Sequence, residues 1–327
     1  MKTKISLIIS ATLCIIIVLS TALFFVACDK KNDKEIVIAT ERTFVNIILN
    51  VMEYKDLLDK YLPSGYKTKY IEINGAANKR DAVVAGQVDF ITASRSQMLP
   101  PMENGLPLAI VSSCGQFGNA IYSRKPNIKN INDLSLCNTI IQQSAGGTSE
   151  LALSILGQEE FGNKDIFVAM LMATGLEHSE MMEVAKINDS YDAVVQKFPY
   201  TEHLLANGFH MVVDLVPTME KYWLFTDMYT NKNMVYNNWH IVDAFLKAQQ
   251  KAIDLLIDED DDILLHLSNL YSIEKSLIIN EIRKYPPSIE VINYDKTTEA
   301  LLEYGMLTKP AIKFEDLFNY DKIPKFN

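Results

Sequence analysis

The sequence predicts an α/β fold of two lobes, and three observations carry that prediction. Short apolar strands alternate with helical stretches through the first two-thirds of the chain. From Trp239 onward the pattern is helical alone. The length, 327 residues, suits two domains at the usual ~100–200 residues each. Alternating strands and helices build sheets covered by helices. The clearest unit is residues 71–97, IEINGAANKRDAVVAGQVDFITASRSQ. Ile71 and Ile73 alternate with polar neighbours, as a strand requires, and residues 76–85 are rich in helix formers. Gly86 stands where a helix end needs a residue free to take positive φ. Val88, Phe90 and Ile91 make a second strand, which stops at a polar loop of Ser94, Arg95 and Ser96. Two neighbouring parallel strands put their loops on one sheet edge, where open α/β folds bind ligands.

Ahead of the body, residues 1–28 read as an export signal, with Lys2 and Lys4 preceding an uncharged apolar run to Ala27. Its end, Phe25, Val26, Ala27 and Cys28, resembles the lipobox of bacterial lipoproteins. Cys28 is therefore the expected lipidation site and new N-terminus. An uncleaved membrane anchor is the alternative, since about 20 apolar residues span a bilayer. Residues 29–34, DKKNDK, form a charged tether with nothing to bury. Either reading puts the body outside the cytoplasmic membrane.

In the body, residues 35–39 are a buried first strand, followed by a polar loop at 40–43 and a helix through Val45, Ile48, Leu49 and Met52. Residues 66–73 are a second strand leading into the central unit, and residues 106–112 and 119–124 follow as strands. Residues 139–142 run as a strand into the loop QSAGGTS at 143–149, then a helix over 150–156. Thr148 or Ser149 can cap that helix, and its free N–H groups suit an anion. The loop lacks the Gly-Lys-Ser/Thr of a nucleotide-hydrolase phosphate loop. Residues 166–173 and 192–195 are strands around a helix at 177–185. A short helix runs from Pro199 to Asn207 and Gly208, and residues 210–215 and 223–227 are the last strands. Ile241, Phe245, Ala248, Ala252 and Leu255 then keep helical spacing. The acidic run at 259–262 lacks the alternating ligands and Gly of a calcium loop, so it reads as a solvated connection. Pro286 and Pro287 end the next helix, and residues 299–306 begin a terminal one.

Composition narrows the function. A chain that is 48% hydrophobic can fill a packed core, so global disorder is excluded. A net charge of −10 argues against nucleic acid, whose phosphates a partner must neutralise. A cleft can still be locally basic on an acidic protein. Cys14 and Cys28 fall in the leader, and Cys114 and Cys137 read as small, partly buried thiols rather than a disulfide. His178, His203, His210, His240 and His266 are scattered, with no His-Glu-x-x-His pair and no Gly-x-Ser-x-Gly elbow. No catalytic residue, metal ligand or cofactor is expected.

Several segments together resemble a known family. They are Gly75 and Ala76 followed by Ala85, Gly86, Gln87, Val88, Asp89 and Phe90; then Asn104, Gly105, Leu106, Pro107 and Leu108; then Ile128 with Asn132, Asp133 and Leu134. The loop at 144–149 follows, and then Tyr191, Asp192 and Ala193 with Phe198, Pro199 and Tyr200. In this order they resemble the solute-binding proteins of ABC importers of the nitrate/sulfonate/taurine and thiamine-precursor type. The chain departs from that pattern twice. Ser135, Leu136, Cys137 and Asn138 replace a Lys-Gly-Lys-like turn, and Phe198 stands where an acidic residue often precedes the proline.

The resemblance implies a two-lobed periplasmic-binding-protein-like fold of type II, with two crossing strands and a ligand cleft between the lobes. Lobe one would hold residues 35–117 and 225–327, lobe two residues 118–224, and the crossing strands residues 119–124 and 223–227. It implies a monomer without cofactor that hands a small-molecule solute to an ABC permease and ATPase after hinge closure. The cleft would be lined by Thr40, Arg42, Gly75, Ala76, Ser94 and Arg95. Ser144, Gly146, Gly147, Thr148, Tyr191 and Asp192 would stand opposite, with Phe198 and Tyr200 nearby. Arg42 and Arg95 turned inward would clamp a sulfonate, carboxylate or phosphate, whereas turned outward they would pair with surface carboxylates. Tyr191, Phe198, Tyr200 and Trp223 would stack a planar ring. The first set points to an anion and the second to a heteroaromatic solute, and the sequence leaves both open. A ligand-sensing module on an uncleaved anchor and a tethered enzyme on the same fold are the other readings.

Overall fold

A computed structural model describes residues 34–308 except Gln116 and Ile292. Residues 1–33, with the expected export leader, Cys14, the lipidation candidate Cys28 and the expected tether, and residues 309–327 lie outside the described residues.

Two five-stranded mixed sheets organise the chain from Ile36 onward. Strand β1, Glu35–Thr40, is buried beyond its first residue because Ile, Val and Ala fill it. Then follow α1 (Ile47–Tyr54), β2 (Lys67–Glu72), α2 (Ala76–Val84), β3 (Phe90–Ser94), α3 (Arg95–Glu103) and β4 (Leu108–Gly115). The chain crosses to the second sheet as β5 (Asn119–Ser123). That sheet and its cover are completed by β6 (Ile140–Gln142), α4 (Thr148–Phe161), β7 (Leu171–Ala173) and α5 (His178–Ile187). After them come β8 (Ala193–Lys197), α6 (Tyr200–Ala206), β9 (His210–Asp214) and α7 (Val216–Lys221). Strand β10 (Thr226–Asn231) returns to the first sheet. Helices α8 (Lys232–Asn237), α9 (Trp239–Ile257), α10 (Asp261–Tyr271), α11 (Lys275–Lys284) and α12 (Tyr294–Glu303) follow.

The strand orders are β2-β1-β3-β10-β4 and β7-β6-β8-β5-β9, one plan used twice. Strand β1 is parallel to β3, and β6 is parallel to β7 and β8. The crossing strands run the other way: β10 antiparallel between β3 and β4, β5 antiparallel between β8 and β9. Strand β1 lies between β2 and β3, and β6 between β7 and β8, which makes a topological switch point in each sheet. Ligands of open α/β sheets bind at such points, beyond the carboxyl ends of the strands.

Three elements depart from the sequence reading. Ser94, Arg95 and Ser96 do not form a loop, because Arg95 already opens α3. Residues 166–173 give a 3₁₀ turn at Val168–Met170 and only the three residues of β7, an edge strand with little apolar surface to bury. The second crossing strand begins at Thr226, since Trp223 takes left-handed backbone (φ 53°) in a turn after α7.

Helices α1 and α9–α11 share one apolar core with one face of the first sheet, where Phe90 stacks on Phe245 at 4.0 Å. Leu301 of α12 and the following Tyr304 join a core that reaches both sheets, and Lys164 Nζ donates to the Tyr304 carbonyl at 3.4 Å. Cys114 and Cys137 are buried free thiols.

Candidate functional site

The two switch points meet at a cavity of about 70 Å³. Four strand ends reach it: Glu41 just beyond β1, Ser94 closing β3, Gln142 closing β6 and Lys197 closing β8. Four helices begin at it, through Ala76 of α2, Ser94 and Gln97 at the head of α3, Gly147, Thr148 and Ser149 at the head of α4, and His178 of α5. Helix N-termini carry unpaired N–H groups and the positive end of the helix dipole. No side chain caps α4, so its first N–H groups are left for whatever fills the cavity. Gly75, at φ 78°, holds a backbone turn that favours glycine and sends its N–H to Glu41 Oε1 at 3.3 Å.

Both lobes contribute charge. Lys79 Nζ lies 2.9 Å from Glu41 Oε1 and donates to the Thr92 carbonyl and Oγ1 at 3.3 and 3.1 Å. Those partners occupy its three protons. Burial pushes the Glu41 carboxyl up, but the Lys79 ammonium, helped by His178 and Lys197, outweighs it and holds the pKa below the usual value. Glu41 is therefore ionised.

His178 is buried against Gln196. Gln196 Nε2 donates to the His178 carbonyl at 2.7 Å, which turns its Oε1 toward His178 Nδ1 at 2.8 Å. This network assigns the proton to Nδ1 and leaves Nε2 an acceptor. Burial, reinforced by the Lys197 charge, pushes the His178 pKa down to about 4, so the ring is neutral at physiological pH. Lys197 is half-buried, and burial with the nearby Lys79 lowers its ammonium pKa against the pull of Glu41. Its ammonium makes no hydrogen bond or ion pair among the described residues. Two ammonium groups face one carboxylate here, so the cavity is locally positive on a protein of net charge −10.

The lobes touch over the cavity. Gln97 Nε2 donates to Ser144 Oγ at 2.8 Å and to the Ala145 carbonyl at 3.2 Å. Tyr200 Oη donates to the Arg42 carbonyl at 2.8 Å, His203 Nε2 to the Tyr271 carbonyl at 3.1 Å, and Asn74 Nδ2 to Glu177 Oε1.

Of the residues expected from sequence, Ala76, Ser94, Ser144, Gly147 and Thr148 line the cavity. Gly75 acts on it through Glu41, and the Gly146 N–H turns instead to Glu150 Oε2 at 3.0 Å. The others lie away from this cavity. Thr40 lies beneath, its hydroxyl on Asn50 Oδ1 at 3.3 Å. Arg42 is exposed, with its Nε 3.9 Å from Glu72 Oε2. Arg95 is wholly buried, forked onto Asp227 with Nε–Oδ2 at 2.7 Å and Nη2–Oδ1 at 3.2 Å. Tyr191 and Asp192 precede β8, at the opposite end from the cleft, where Asp192 accepts the Asn138 and Thr139 N–H groups and pairs with Lys125. Phe198 packs edge-on against Phe44 at 4.9 Å, and Tyr200 spans to Arg42 outside the cavity.

Glu41, Lys79, His178 and Lys197 carry the charge and polarity of the site, and sequence reasoning missed all four. Lys79 sits in NKRD, which reads as a solvated helix face. Lys197 had a usable signal, a charge ending the apolar strand AVVQK. Among the described residues, the only ring lining the cavity is the His178 imidazole. Among the described residues no cluster of His, Cys, Asp or Glu could hold a metal ion, and no helix is long and apolar enough to cross a membrane.

No protein-family model and no curated protein matches the sequence. Solved structures do match its fold. The ligand-binding component of an ABC-type import system from Staphylococcus aureus, with zinc bound, aligns at TM-score 0.69 and 14% identity over 89% of this chain and 96% of that one. The alkanesulfonate-binding protein SsuA from Xanthomonas axonopodis pv. citri, bound to MOPS, aligns at TM-score 0.68 and 14% identity over 86% and 96%. The Candida albicans CA3427 gene product, described as having the generic periplasmic binding protein fold, aligns at 0.68 and 9% over 88% and 95%. At these identities the likeness is one of fold. That fold is the two-lobed periplasmic-binding-protein fold.

Proposed function

We propose that this chain is an extracytoplasmic solute-binding protein of an ABC importer and that its solute is a small anion. The observation that carries the anion is the Lys197 ammonium, which faces the cavity without a counter-charge of its own. A cation drawn out of water and left unpaired is costly, and a bound anion removes that cost. The N-terminus of α4, uncapped by any side chain, adds donors at the same place. A cavity of about 70 Å³ suits a solute of few heavy atoms. Drug-sized ligands take about 300–1,000 Å³.

The importer half rests on the fold it shares with binding components of import systems and on the leader, which supports a lipid anchor at Cys28. A permease and an ATPase are then the partners, receiving the closed form at the outer face of the membrane.

Thermal unfolding of the purified body against phosphate, sulfate, nitrate, short sulfonates and carboxylates tests the ligand class. An anion at 100 times its Kd should add about 2.7 kcal/mol of stability. Lys197→Met should abolish that gain. A flat response to every anion, or an equal response in the variant, overturns the reading. Uptake that survives deletion of the gene would overturn the importer half.

A further inference from the structure

The cavity is not uniformly a donor surface. Glu41 spends one oxygen, Oε1, on Lys79 and the Gly75 N–H, and its Oε2 takes no hydrogen bond among the described residues. His178 Nε2 has no partner among them either, while its Nδ1 is committed to Gln196. Both side chains line the cavity and both are largely buried, His178 being 5% exposed. Two acceptors therefore face the same space as the Lys197 ammonium and the head of α4. A buried acceptor left without a proton to accept is costly, and ligands that leave it so are disfavoured.

We propose that the solute is an anion that also donates a hydrogen bond, through an acid O–H or an amine N–H, and that Glu41 and His178 select for that donor. This deepens the anion-binding reading and rests on it. The negative end of such a ligand meets Lys197 and the α4 N–H groups, and its proton meets Glu41 Oε2 or His178 Nε2. A donor-free anion puts its own lone pairs against a carboxylate and an imidazole nitrogen instead. Protein sites that hydrogen-bond a ligand's O–H or N–H discriminate strongly against analogues lacking it.

Two matched pairs of probes test this by calorimetry at neutral pH. Hydrogen phosphate and sulfate share a tetrahedron and differ by a proton, and aminoethanesulfonate and propanesulfonate differ by an ammonium replaced with a methyl. The donor-bearing member of one pair should bind at least about tenfold tighter, and the pair that responds separates the acid O–H from the amine. Glu41→Gln and His178→Asn, each checked for folding by its thermal transition, should shrink that ratio. Donor-free anions that bind equally well, or a ratio unchanged in both variants, overturn the inference while leaving the anion reading intact. If no probe binds, the anion reading fails and this inference with it.

Discussion

Arg95 and Asp227 form a forked ion pair that no water reaches, joining the first residue of α3 to the returning strand β10. Arg95 Nη1 also reaches Thr297 Oγ1 at 3.3 Å and the Trp223 carbonyl at 3.4 Å, and the guanidinium lies 5.5 Å over the Phe225 ring. The pair thus ties together α3, the turn before β10 and α12. Asp227→Asn leaves a buried guanidinium without its counter-charge. Urea unfolding should show a loss of about 3–5 kcal/mol. Anion affinity of the folded fraction should stay within a factor of about two. A stable variant with lost affinity would return Arg95 to the site.

Lys197 should behave oppositely. Its ammonium is desolvated without a partner, so Lys197→Met should raise the stability of the ligand-free protein by about 1 kcal/mol. The same change should weaken the anion at least about tenfold, because a charge-assisted bond is worth roughly 1.5–3 kcal/mol. Parallel urea and calorimetric titrations check both signs. A variant that loses stability and keeps affinity would make Lys197 a structural residue.

His178 makes stability depend on pH. Its folded pKa of about 4 lies below the ordinary 6.5, so between these values the unfolded chain takes up a proton that the native ring refuses. This contribution is fully present above pH 6.5, falls as pH drops toward 4, and levels below that. Its size is about 3 kcal/mol. Urea unfolding between pH 7 and 4.5 should show a shallower decline for His178→Asn than for the wild type. Identical slopes would mean that the ring is protonated in the fold.

Gln97 bridges the lobes by two neutral hydrogen bonds, to Ser144 and Ala145. Each is worth about 0.5–1.5 kcal/mol, and together they favour the arrangement in which the lobes touch. Gln97→Ala should weaken the anion by roughly five- to tenfold by lowering the closed population. The unfolding midpoint of the ligand-free protein should barely move. Unchanged affinity would mean that these bonds do not contribute to closure.

Much of the architecture was already legible in residue order. Apolar runs such as EIVIAT and AVVQK, and the helix formers between Ala76 and a positive-φ Gly86, are local signals that period and propensity read directly. The alternation of such elements determined an α/β body, and two neighbouring parallel strands with loops on one edge, together with the family resemblance, pointed to Ala76, Ser94, Ser144, Gly147 and Thr148, which line the cavity. Which cation faces the solute was not local. Arg95, Lys79 and Lys197 sit respectively at the head of α3, within α2 and at the end of β8, and none of these local positions says what stands opposite the charge. Tertiary structure separates them by what stands opposite: Asp227, 132 residues away, neutralises Arg95; Glu41 holds Lys79; and nothing described meets Lys197. The price of burying a charge depends on its partner, and chain folding alone decides where that partner lies.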